Sequence, residues 1–113
     1  MTTSLHRAKR ELYQQLAREV MTDPDVTEGT MMGLPCLRLN GAFFAAQDRT
    51  TGNLIVKLPG DRVTDLIATG IGSAFAPSNR PFREWVAIPR LEQSTWTNLL
   101  REAKAFVATS RSA

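Results

Sequence analysis

Apolar residues recur at spacings of three and four over residues 4–22. Leu5, Ala8, Leu12, Leu16 and Val20 form one stripe, the signature of a helix with one buried face. Thr3 or Ser4 is the expected N-cap. Asp23-Pro24-Asp25 stops the helix, because the residue before a proline avoids the α region. The period then falls toward two. Residues 26–32 read as a weak first strand in which Gly29 suggests a bulge. Three short apolar stretches follow, residues 35–39, 42–46 and 54–58, separated by Asn40-Gly41 and by the polar run DRTTGN. Asn-Gly is the strongest two-residue hairpin signal, since both positions tolerate positive φ. The three stretches therefore predict an antiparallel meander. Leu37 and Leu39 point away from Arg38 and Asn40; Leu54, Val56 and Leu58 point away from Ile55 and Lys57. One face is the more apolar, as in a sheet with helices on one side and water on the other.

Leu58-Pro59-Gly60-Asp61 ends the meander and opens a short helix. Asp61 is its expected N-cap, Val63, Leu66 and Ile67 its inner face, and Gly70 its left-handed C′ residue. Gly70-Ile71-Gly72 reads as that helix stop rather than a phosphate loop, because no strand directly precedes it and no helix follows. Residues 73–75 make a brief strand, residues 76–81 a loop, and residues 82–88 (FREWVAI) the last strand, ended by Pro89. Residues 91–109 form a C-terminal helix with the stripe Trp96, Leu99, Leu100, Ala103, Phe106 and Val107; residues 110–113 read as a frayed tail. The expected fold is α+β. It has two layers, an antiparallel sheet of five or six strands, N- and C-terminal helices packed on one face, and a short helix between strands. Residues 1–113 form a single domain.

Residues 31–45 (Met-Met-Gly-Leu-Pro-Cys-Leu-Arg-Leu-Asn-Gly-Ala-Phe-Phe-Ala), 54–58 (Leu-Ile-Val-Lys-Leu) and 83–89 (Arg-Glu-Trp-Val-Ala-Ile-Pro) together resemble the MmcQ/YjbR family. The pattern is also similar to the N-terminal domain of TfoX/Sxy-type competence regulators. The resemblance runs from the first helix to the last. It implies a compact α+β domain with a five- or six-stranded antiparallel sheet, in the double-wing shape described for families that are often labelled DNA-binding. The TfoX-type motif runs Met-Phe-Gly-Gly with an aromatic soon after. Here Met32 stands for the Phe and Leu34 for the second Gly, and the next aromatic is Phe43.

Composition acts mainly by exclusion. The 113 residues are 42% hydrophobic and 22% charged, ordinary for one globular domain. Lys+Arg exceed Asp+Glu by 14 to 11, a net charge of +3, which permits contact with nucleic acid or an acidic protein. Arg outnumbers Lys, which favours planar carboxylate or phosphate partners. One cysteine, Cys36, excludes an intramolecular disulfide and a multi-cysteine zinc site, and a single histidine, His6, argues against a histidine metal site. No nucleophile set, phosphate loop or metal-ligand spacing appears, so no catalytic residue, metal or cofactor is expected. Cys36 reads as a small buried hydrophobe, His6 as exposed, Asp61 and Asp65 as a cap and a surface charge. Met31, Met32, Trp85 and Trp96 read as core filler. No apolar run approaches the ~20 residues of a membrane span, and the N-terminus lacks the apolar segment of a secretory leader. A reducing cytoplasm is the expected compartment.

Arg80 and Arg83 flank Pro81-Phe82, Arg90 follows the last strand, and Lys57 lies in the meander. These four are the candidate nucleic-acid contacts, with Phe82 placed to stack on a base or plug a groove. The competing reading is a solvated loop with Phe82 in the core. Arg7, Lys9 and Arg10 read as a solvated helix face. The functional expectation is a non-catalytic binding domain that contacts DNA in a transcription-associated role. The alternative is a protein-interaction or adaptor domain using a sheet edge or an apolar sheet face with Phe43, Phe44 or Ile55.

Overall fold

Two tight turns set the register of the sheet. Met32-Gly33 (φ 52 and 78) and Asn40-Gly41 (φ 50 and 87) hold left-handed backbone at both central positions, the turn class whose twist matches paired strands. The computed structural model describes residues 2–112, with side chains over residues 4–77 and 79–109. The elements run α1 (Thr2–Val20), β1 (Val26–Met31), β2 (Leu34–Leu39), β3 (Ala42–Gln47), β4 (Leu54–Lys57), α2 (Gly60–Ala68), β5 (Ser73–Ala74), a 3₁₀ turn (Pro77–Asn79), β6 (Trp85–Ile88) and α3 (Gln93–Ser112). The six strands form one sheet in the order β1-β2-β3-β4-β6-β5, antiparallel at every pairing. The α+β class, the single sheet and the helices at both termini are as the sequence pattern predicts.

The bulge is not at Gly29. The β1–β2 ladder runs unbroken from Val26↔Leu39 to Met31↔Leu34, with Gly29 opposite Cys36. The irregularity lies between β2 and β3, where Leu37 pairs with Ala45 but Arg38 pairs with Phe43. Phe44 is the extra residue of a β-bulge, and Phe44 and Ala45 both enter the helix-side core. Gly29 answers a close approach instead: a Cβ there would lie 2.7 Å from Arg38 Nη2.

All three helices pack on one face. Leu12, Tyr13, Leu16 and Ala17 of α1, Val63 and Leu66 of α2, and Trp96, Leu99, Leu100, Ala103 and Val107 of α3 meet Leu37, Leu39, Phe44, Leu54, Val56, Val86 and Ile88. Trp96 is fully buried, and its indole Nε1 donates to the Arg90 carbonyl at 2.8 Å, which satisfies its one polar atom. On α1 the buried stripe is rotated from the expected one. Leu5 is exposed, whereas Tyr13 and Lys9 are buried. The loop after β3 causes this. Lys9 Nζ donates to Asn53 Oδ1 at 3.0 Å, and Gln47 Nε2 donates to the carbonyls of Lys9 (3.2 Å) and Gly52 (3.1 Å). The same loop half-buries His6. Lys9 is thus withdrawn from the solvated cluster it forms in the sequence.

Element ends differ in small ways. α1 starts at Thr2, so Thr3 and Ser4 lie inside it. The N-cap of α2 is Pro59; Asp61 sits in the first turn, where its charge suits the helix dipole. Ile67 is 40% exposed and leaves the inner face to Val63 and Leu66. Gly70 is the C′ residue of a Schellman motif, with Gly70 N–H on Ile67 O (3.1 Å) and Ile71 N–H on Leu66 O (3.0 Å). β5 stops at Ala74 and β6 begins only at Trp85. Phe75 and Phe82 instead meet through one backbone bond, Phe82 N–H to Phe75 O at 3.0 Å. α3 continues to Ser112 in place of a frayed tail.

The second face of the sheet is not simply wet. Met31, Cys36, Ala46, Ile55 and Phe75 form a second buried cluster with Leu34, Phe43 and Trp85 packed around it. Among the described residues no helical side chain contributes to it. Two ion pairs tie the helix layer: Arg62 to Glu102 by two hydrogen bonds (3.0 and 3.1 Å), and Lys104 to Asp23 at 2.6 Å. Lys104 holds the Asp23 carboxyl below its usual range. No helix among the described residues is long and apolar enough to cross a membrane.

Burial raises the pKa of the Tyr13 phenol, and the negative charge of nearby Cys36 and Glu28 would push it further. The folded state therefore keeps this proton while the unfolded chain gives it up near pH 10, so stability is intact below that pH and falls above it. Tyr13 is the sole tyrosine. In an alkaline titration the tyrosinate absorbance is expected to rise together with loss of circular dichroism. A separate ionisation near pH 10 in folded protein would contradict this. Met32 supplies a second test, because it is 57% exposed and holds a left-handed φ that costs a residue of its type about 1 kcal/mol. Met32→Asn is expected to raise the urea midpoint by about that energy, Asn being favoured in this turn.

Candidate nucleic-acid interface

Partners in an antiparallel ladder share a face, so the register identifies the helix-free one. It carries Thr27, Gly29 and Met31 of β1, Leu34, Cys36 and Arg38 of β2, Phe43 and Ala46 of β3, Ile55 and Lys57 of β4, Ser73 of β5, and Trp85 and Ala87 of β6. Among these described residues the only charges are Arg38 and Lys57, and none is a carboxylate. Each cation stands opposite an aromatic residue. Arg38 pairs with Phe43, its guanidinium 5.9 Å from the ring centroid, within cation–π range. Lys57 pairs with Trp85.

Backbone choices hold Arg38 in place. With no Cβ at Gly29, the guanidinium lies across β1 and Nη2 donates to the Glu28 carbonyl at 3.3 Å. Arg38 Nε is shut away from solvent without a hydrogen-bond partner. Beneath it, burial pushes the Cys36 thiol up, and Arg38 and the Gly29 amide offset part of that. A thiol held up in this way stays protonated at neutral pH, as a core side chain does.

At the other end of the face, Phe75 packs edge-to-face with Phe82 (centroids 5.6 Å apart, 90°) and tilted against Trp85 (6.5 Å). Phe82 is still 38% exposed. It helps to form a groove of about 450 Å³ between α2 and residues 81–85, lined by Asp61, Val63, Ile67, Phe82, Arg83 and Trp85 among others. An adjoining hollow of about 410 Å³ is lined by Lys57, Gly60, Phe82, Arg83, Glu84 and Trp85. The two spaces share Gly60, Phe82, Arg83 and Trp85, and Trp85 and Lys57 connect them to the sheet face.

The four basic residues singled out from sequence do not form one cluster. Lys57 and Arg83 line the same hollow. Arg80 is exposed just after the 3₁₀ turn, its N–H on the Pro77 carbonyl at 3.3 Å, and it lines neither space. Arg90 lies beyond the far end of β6, at least the ~10 Å length of that strand from the Trp85 end. There it borders a separate hollow and faces Glu92 at 4.0 Å. Phe44 and Ile55 are buried, which leaves Phe43 alone of the three residues proposed for an open apolar face. The Arg38–Phe43 pair escapes sequence reasoning because the bulge that creates it has no turn residue to announce it. Alternation does place Arg38 opposite Leu37 and Leu39, and that was the available signal.

No family model, curated protein or solved structure matches this chain.

The thiol gives a direct check on this face. Ellman's reagent is expected to leave Cys36 largely unmodified in folded protein at pH 8 and to modify it fully on addition of urea. Labelling of the folded state at the rate of a free thiol would contradict the burial described here.

Proposed function

We propose that this chain is a non-catalytic nucleic-acid-binding domain that meets the phosphate backbone with its helix-free sheet face. The observation that carries the reading is the charge of that face. Its two charged residues are both cations, each is set against an aromatic residue, and Arg83 and Phe82 extend the same chemistry at the margin. Cations release condensed counterions when they neutralise phosphates, which supplies affinity without base specificity. Aromatic rings beside them offer stacking surfaces that tolerate any base.

The resemblance of residues 31–45, 54–58 and 83–89 to the MmcQ/YjbR family is in keeping with this role and points to DNA as the first polymer to test. In this reading Arg38, Lys57 and Arg83 make the main contacts, Arg80 adds charge from the neighbouring loop, and Arg90 lies outside. Asp61 and Glu84 border the same hollows and keep the field moderate, which suits a binder that is weak at physiological salt. A buried free cysteine suits a reducing cytoplasm as the working compartment.

The test is fluorescence anisotropy with a labelled 20-nucleotide DNA, single-stranded and duplex, across a salt series. Binding is expected at ~50 mM salt, with log affinity falling linearly against log salt. Lys57→Gln and Arg83→Gln are each expected to weaken binding and to reduce the salt slope by about one. No binding of either form at ~50 mM salt would rule the function out.

A further inference from the structure

Resting on the nucleic-acid reading above, we infer that the polymer is a single strand rather than a duplex, and that one unpaired base docks in the groove between α2 and residues 81–85 while its phosphate lies on Lys57 and Arg83. The walls of that groove are largely apolar. Val63 and Ile67 stand on the helix side, and Phe82 and Trp85 on the other. Ile67 and Phe82 are 40% and 38% exposed, so the groove is open to an incoming group. A duplex presents phosphates and base edges, and its base faces are stacked away. Only an unpaired base offers a planar apolar surface to such walls.

Shape points the same way. Duplex readers insert a helix or a two-stranded ribbon into a groove. Here all three helices pack against the opposite face, and Arg38 and Lys57 lie on the sheet surface, two strands apart, roughly 10 Å in the hydrogen-bonding direction. The groove of about 450 Å³ falls in the size range of small-ligand sites. Charge divides between its two parts. Lys57 and Arg83 face Glu84 in the outer hollow, a net positive site for phosphate. Arg83 and Asp61 balance in the inner groove, where a neutral base belongs. The Asp61 carboxylate can accept only, so it favours a base edge that presents N–H donors. Ribose and deoxyribose strands share this chemistry, and the arms of the test separate them.

The experiment compares a mixed-sequence 12-nucleotide strand as DNA, as RNA and as the DNA duplex, by anisotropy and by quenching of tryptophan emission, using the full chain. One of the single strands is expected to bind about tenfold tighter than the duplex, with quenching of Trp85 by the docked base. Phe82→Ala and Ile67→Glu, both at solvent-exposed positions, are each expected to lower that affinity about tenfold in protein whose circular dichroism is unchanged. Equal affinity for strand and duplex, or full single-strand affinity in both variants, would overturn base docking while leaving a cationic sheet face that binds phosphate. Absence of binding to all three polymers would overturn both readings.

Discussion

Ile55 and Val56 are neighbours on β4 that point to opposite faces of the sheet, and neither is exposed to solvent. Successive strand residues must alternate in this way, so a central strand of two apolar residues needs a cover on each side. Among the described residues, helices cover one side only. Val56 meets α-helical side chains in a large core. Ile55 is sealed by its neighbours on the sheet and by Phe75, which follows the shortest strand. Desolvating apolar area stabilises the fold wherever the cover comes from, but a cover built from strand side chains is thin, and the residues at its margin remain partly open.

That thin cover explains the chemistry of the second face. Phe43 and Trp85 are half-buried around the small cluster, and the long side chains opposite them are Arg38 and Lys57. Such side chains lay their aliphatic stems on apolar surface and keep their charge at the edge. Gly29 and the bulge at Phe44 act together here. The bulge brings Phe43 opposite Arg38, and the missing Cβ lets the guanidinium lie flat across β1. A structural need to seal Ile55 thus leaves cations and rings side by side on a face whose described strand residues include no carboxylate.

The link between β4 and β6 places the groove. α2 joins them on the helix side, its C-terminus is closed by the Schellman turn at Gly70, and the chain returns through β5 to pair with β6. Residues 75–84 then loop out and come back with Phe82 against Phe75. The outward side of α2 and this loop meet where Gly60 approaches Arg83 and elsewhere wall a cleft in which Ile67 and Phe82 are apolar and partly open. Arg62, by contrast, is turned to α3 and held by Glu102.

By itself the sequence determined the class of fold, the three helices, the Asn40-Gly41 hairpin turn and most of the apolar set of the main core. Each of these rests on local chemistry: periodicity of three to four or of two, Asn-Gly at positive φ, Gly70 after the last helical residue of α2. Lys57 and Arg83 were legible as basic residues near strand ends, but their sharing one hollow was not, since they are separated by the whole of α2 and β5. Only the tertiary structure decided that Arg90 stands apart, that Lys9 and Tyr13 are buried on α1, and that Arg38 meets Phe43. Those outcomes depend on which loop covers a helix and on a one-residue slip in a ladder. Both are settled by packing between segments distant in the chain, to which no local pattern responds.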